Sequence, residues 1–164
     1  MIIELTISGP IDAKKNRLKL VRGHAYYDAQ TKANMLEIRA QLGSQWLQTI
    51  EHEGRPLRVP RPPLAHPAMA CVFYVSQRGT RGDRDGKWTT VVDELVNVGV
   101  LKDDCIEDFN GAVLLTSAIR TDGWAGARVF IETGGSLPRL WRHLRRQDLG
   151  GWRAPNRFAK AAPK

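Results

Sequence analysis

Cysteine, aromatic residues and long apolar runs are all scarce in this chain. Its 164 residues include two cysteines, Cys71 within an apolar run and Cys105 directly after a pair of aspartates. Two thiols in such unrelated settings read as reduced cysteines rather than a disulfide framework, which fits a reducing, cytoplasmic environment. No apolar run approaches the roughly 20 residues needed to cross a bilayer. The opening Met-Ile-Ile-Glu-Leu also lacks the basic-then-apolar layout of a signal peptide, so no membrane association is expected. The four histidines, His24, His52, His66 and His143, show no metal-ligand spacing. No G-x-x-x-x-G-K-[ST] accompanies the glycines, so nucleotide hydrolysis has no support. Nor does any Ser/His/Asp or Cys/His nucleophile set stand out.

Acid is also scarce at one end of the chain. The net charge is +8, yet residues 134–164 carry eight Lys/Arg (Arg139, Arg142, Arg145, Arg146, Arg153, Arg157, Lys160, Lys164) against Asp148 alone, a net +7. The rest of the chain is nearly balanced, with 17 basic and 16 acidic residues. A basic end of this kind reads either as a polyanion contact or as a solubilising terminus. The hydrophobic fraction of 42% and charged fraction of 26% are ordinary for a globular protein, and the length suits one domain with its own core. The expected organisation is therefore a domain over 1–133 and a basic C-terminal extension over 134–164, partly helical or disordered.

Ile2 to Ser8 alternates apolar and polar residues and predicts a strand that ends at Gly9-Pro10, with a basic loop after it. Met35, Ile38, Leu42 and Trp46 recur at spacings of three and four, predicting a helix from about Asp28 to Ile50 capped by Asp28 or Thr31. Five prolines between residues 54 and 67 exclude a helix there. Met69 to Val75 is continuously apolar and β-branched or aromatic, as in a strand buried on both faces. A second helix, from about Gly86 to Val98, places Trp88, Val91, Val92, Leu95 and Val98 on one face, with Gly99 as its left-handed terminator. Ala112 to Ile119 and Ala127 to Thr133 read as strands separated by a glycine-containing turn, hence a hairpin. Leu137, Leu140, Trp141 and Leu144 then have the spacing of a short basic amphipathic helix, followed by a disordered end from near Gly150.

The chemistry concentrates in residues 82–104. Asp83 and Asp85 precede the second helix, and Asp103 and Asp104 follow it. Four carboxylates brought together repel one another unless a cation sits among them, so the cluster suggests a hard divalent metal. The EF-hand pattern is excluded, because its fifth and sixth positions are Lys87 and Trp88 here. An acidic, metal-ready centre in a basic protein suggests cleavage of phosphodiesters.

The sequence Asp83-Arg84-Asp85-Gly86, a helix, and then Gly99 through Asp104 resembles the D-x-D-N, helix, G-x-x-x-D-D motif of the RusA-type Holliday junction resolvases. The likeness extends over roughly 1–133, through the first strand ending in Gly-Pro, a loop with Lys14, Lys15 and Asn16, a helix and a final hairpin. It implies a small α+β fold with a mixed sheet and two main helices, working as a homodimer that cuts four-way junction DNA. The cofactor implied is Mg²⁺, with Mn²⁺ as the alternative ion. Asp83, Asp85 and Asp104 would be the catalytic, metal-binding carboxylates and Asp103 an adjacent support. Lys14, Lys15, Asn16, Arg78, Arg81, Arg84 and Lys87 would contact DNA. Two positions depart from the family. Gly86 replaces the Asn, and Thr89 stands where the family commonly has a catalytic Lys. Lys87 points roughly 200° away from Thr89 around a helix, which leaves Lys14, Lys15, Arg81 or Lys102 to supply a cation. The alternative is a catalytically weakened junction- or DNA-binding protein of the same fold.

Overall fold

The computed structural model describes residues 1–13, 18–21, 24–50, 63–75, 84–103, 113–119 and 124–149. It is a small α+β fold. Strand β1 (Ile2–Ser8) alternates as expected, with Ile3, Leu5 and Ile7 buried. Gly9, at φ 103°, ends it in a backbone conformation that costs glycine little. Where a basic loop was expected there is a two-stranded ribbon, β2 (Leu18–Val21) antiparallel to β3 (His24–Tyr27). Four-residue strands are too short to show a convincing period.

Helix α1 (Ala29–Ile50) begins where predicted, and the choice between two caps is settled. The Thr31 amide donates to Asp28 Oδ1 at 2.8 Å, making Asp28 the N-cap. Strand β4 (Ala68–Val75) is buried at every position. Helix α2 (Arg84–Asn97) closes on a pair of hydrogen bonds, Gly99 N to Val96 O and Val100 N to Leu95 O, both 2.9 Å. With Gly99 at φ 75° this is a Schellman cap, and the buried Val100 and Leu95 supply its apolar contact.

The main sheet has the order β1-β6-β4-β5, where β5 is Val113–Ile119 and β6 is Gly126–Glu132. Strands β1, β6 and β4 are antiparallel, and β5 joins β4 in parallel. The expected hairpin between the last two strands is thus corrected: β4 lies between β5 and β6 and pairs with both. The reason lies in β4 itself. A strand apolar on both faces is most stable in the sheet interior, hydrogen-bonded on both edges. Gly126 sits where β6 passes β1, and a side-chain carbon there would collide with the Ile7 carbonyl.

Helices α1 and α2 cover one face of the sheet, over Ile3, Leu5, Ile7, Met69, Cys71, Phe73, Val129 and Ile131. The two helices are tied by Arg39 Nε to Glu94 Oε2 at 2.7 Å. Glu94 is fully buried, and its other oxygen, Oε1, has no hydrogen-bond partner among the described residues. The opposite face is covered by α3 (Leu137–Leu144), whose Leu140 and Leu144 pack with Leu149 on Ala70, Val72, Tyr74 and Phe130. Part of the expected basic extension is therefore a layer of the fold. Arg128 anchors the segment after α3: its Nη1 donates to Asp148 O at 2.9 Å, while its Nε meets Glu4 Oε1 at 2.6 Å. Burial lowers the affinity of this guanidinium for its proton, but hydrogen bonds to Glu4 and Tyr74 outweigh that and raise its pKa. Residues 150–164 lie outside the described residues.

Candidate metal and DNA site

The α2 N-terminus is positioned from two directions. Leu95, Val91 and Val92 bury its apolar face, and Thr90 fixes its second turn by donating to Asp12 O at 2.8 Å and to Gly86 O at 3.2 Å. Asp12 follows β1, whose last residue, Ser8, pairs with Gly126, which in turn pairs with Tyr74 near the end of β4. The start of α2 thus lies along the sheet edge where β1 and β4 both terminate. In open sheets with parallel strands, ligands collect outside the carboxyl ends of those strands.

Asp85 occupies the first turn of α2 and is exposed, as is Arg84 beside it, while Lys87 is half-buried. A carboxylate in a first turn is favoured by the positive end of the helix dipole, and so is a phosphate that approaches it. Gly86, the position that departs from the family Asn, is buried in the first turn of α2. The Thr89 hydroxyl donates to Asp85 O at 2.9 Å. It projects no charge toward the carboxylates.

Asp103 is exposed and lies beyond the other end of α2. Past Gly99 the chain does turn back. Leu101 forms a parallel bridge with Leu64, four residues before β4, so locally the two segments run in the same direction. The reach can be estimated. Leu101 N bonds Leu95 O at 3.3 Å, and Leu95 is ten residues, about 15 Å, along the helix from Asp85. Two more residues cover at most about 7 Å, so the Asp103 backbone stays at least about 8 Å from that of Asp85 along the helix. Asp83 and Asp104 lie outside the described residues, as do Lys14, Lys15, Asn16, Arg78 and Arg81. Among the described residues no group of three His, Cys, Asp or Glu side chains could hold a metal.

The Asp85 carboxylate, the described acidic group at this helix end, is a hard oxygen donor of the type that Mg²⁺ or Mn²⁺ takes. Among the described residues the one thiol, Cys71, is buried within β4, and burial pushes its pKa well up. Asp12 was not singled out by the sequence, although its carbonyl touches α2. Its carboxylate accepts from Asn34 Nδ2 on α1 at 3.0 Å. A lone aspartate after Gly-Pro carries no local signal, and only the tertiary contact reveals it.

No family model matches this sequence, and no curated protein matches it. Among the described residues no helix is long and apolar enough to cross a membrane.

Proposed function

We propose that this chain is a Mg²⁺-dependent, structure-specific endodeoxyribonuclease that resolves four-way DNA junctions in recombination or repair. The observation that carries this reading is the placement of Asp85. It is an exposed carboxylate in the first turn of α2, at the end of the sheet where β1 and β4 terminate. Its resemblance to the RusA-type motif supplies the substrate class. Asp83, Asp85 and Asp104 hold the cation in this reading, with Asp103 in support. When bound, Mg²⁺ offsets charge on the scissile phosphate and lowers the pKa of an attacking water. The chain's own contribution is to present the carboxylates at a dipole-stabilised helix end and to seat the phosphate with Arg84, Arg81, Arg78 and Lys87. The products are a 5′-phosphate and a 3′-hydroxyl.

The reading includes a homodimer, because two sites related by a two-fold axis cut opposing strands of a junction in one encounter. Leu36 and Leu47 are both exposed on α1. Eleven residues apart, they fall within about 20° of each other around the helix, an apolar stripe that suits a second copy.

One observation favours a second reading, a junction-binding protein that no longer cuts. Thr89, at the position of the family Lys, spends its hydroxyl on the backbone of Asp85. Incubating the protein with an end-labelled four-way junction and Mg²⁺ separates the two. Paired symmetric nicks support the nuclease, and a mobility shift without product supports the binder.

A further inference from the structure

The outward face of α3 presents a row of one sign of charge. Arg139, Arg142 and Arg146 are exposed, while Leu140 and Leu144 between them are buried against the sheet. Arg139 and Arg142 lie about 60° apart around α3, and Arg146 continues the row in the turn after it, where its amide donates to His143 O at 3.0 Å, for a span of roughly 10 Å. Arg139 has an ion pair at 3.5 Å, to Glu132, and its side chain stays 59% exposed. Among the described residues neither Arg142 nor Arg146 has an ion-pair partner.

Helix stability alone does not explain the row. Cations in a last turn do complement the helix dipole, by about 0.3–1 kcal/mol each when exposed. Arg139, however, is in the first turn, where the dipole opposes it, and α3 has no acidic residue there to compensate.

We infer that the row of Arg139, Arg142 and Arg146 along α3 and the turn after it is a second nucleic-acid contact, binding the phosphate backbone of duplex DNA on the side of the sheet opposite α2 and its Asp85. The spacing fits that partner. Phosphates along one strand recur every 3.4 Å of helix axis, so the row matches about three of them. A protein partner fits less well, because the apolar residues of α3 that would anchor it, Leu137 and Trp141, pack inward. The same inward packing leaves no apolar face to insert into a lipid surface. The inference goes beyond the nuclease reading and does not need it, since a backbone contact of this kind binds whether or not a strand is cut. On a junction it would hold a different arm from the one at the carboxylates.

The test uses the full chain and a fluorescent plain duplex in EDTA, so that cleavage plays no part. Anisotropy titrations over a KCl series give the slope of log K against log salt. R142Q/R146Q should reduce the magnitude of that slope by about 1.8, two contacts at about 0.9 each, with an unchanged melting temperature. R142K/R146K, which keeps both charges, should retain the parental slope. A parental slope in R142Q/R146Q overturns the inference. So does loss of binding to anionic vesicles by that variant with duplex binding intact, which would assign the face to a lipid surface. Nicking of the labelled junction is read separately, so the failure of either proposal is recognised without the other.

Discussion

Thr6 and Gln45 exchange two hydrogen bonds in the way that paired strand residues do. The Thr6 amide donates to Gln45 Oε1 at 2.7 Å, and Gln45 Nε2 donates to Thr6 O at 2.6 Å. Gln41 treats Ser8 the same way, at 2.7 and 3.0 Å. The match is geometric: four residues of helix rise about 6 Å and two residues of strand about 6.6 Å. Helix α1 thereby supplies amide partners to the free side of β1, an edge strand of the sheet.

Replacing both glutamines by alanine removes those partners and leaves a strand edge open to pairing with another chain. With each hydrogen bond worth about 0.5–1.5 kcal/mol net, Q41A/Q45A should lower the melting temperature and promote association beyond that of the parent. Light scattering over a concentration series reads the second effect. Equal scattering by variant and parent would show that the edge is protected by other means.

The Arg39–Glu94 pair should be asymmetric in its sensitivity. Arg39→Leu leaves a buried carboxylate without its cation, at a cost of about 3 kcal/mol. This is the low end of the range for broken buried pairs, because the Arg39 side chain is 40% exposed and water can enter in its place. Thermal denaturation should show a drop of roughly 6–12 °C. In the double variant R39L/E94M, the uncompensated charge is gone and most of the loss should return.

Asp85→Asn should abolish junction cleavage while keeping or tightening junction binding, since it removes a metal ligand and also a charge that repels DNA phosphates. Binding and nicking are measured on the same labelled junction. Cleavage equal to that of the parent would remove Asp85 from the metal site.

Cys71 should be inert toward maleimide in the native state and react only on unfolding, read in a Cys105→Ser background. Its pKa is raised above the ordinary 9.0 by burial, so the folded chain holds the thiol neutral more tightly than the unfolded chain does. The stability this confers is complete below pH 9.0 and declines as pH rises above it. Urea midpoints at pH 8 and pH 10 should differ in that direction.

Local chemistry made much of the fold legible. The alternation of β1, the Asp28 cap, the all-apolar β4 and the Gly99 terminator each depend on a few adjacent residues, and each was readable from them. Strand order was not. Two strands with a glycine-containing turn between them look like a hairpin, and nothing in that segment announces that β4 will come between them. Gln41 and Gln45 were equally silent, because polar residues on an amphipathic helix normally mean solvent. Leu140, Trp141 and Leu144 did carry the helical period, but the charge around them suggested an appendage rather than a layer. At the candidate site Asp85, expected just before the second helix, lies within its first turn, whereas the place of Asp12 depends on a contact 78 residues away in sequence.

The position of β6 has a consequence for the order of assembly. Ile2 pairs with Glu132 and Ile3 with Ile131, so β1 waits during synthesis for a strand that follows more than a hundred residues later. Strand β4 waits for the same partner on one side. Pairings this distant are entropically late and slow folding, and until β6 arrives two apolar strands lack their common neighbour. Helix α1, made in between and already carrying Gln41 and Gln45, can hold β1 in the meantime. The glutamine pair shields the outer edge of the nascent strand from its counterparts on neighbouring chains, while the edge that β6 takes stays open until β6 is made.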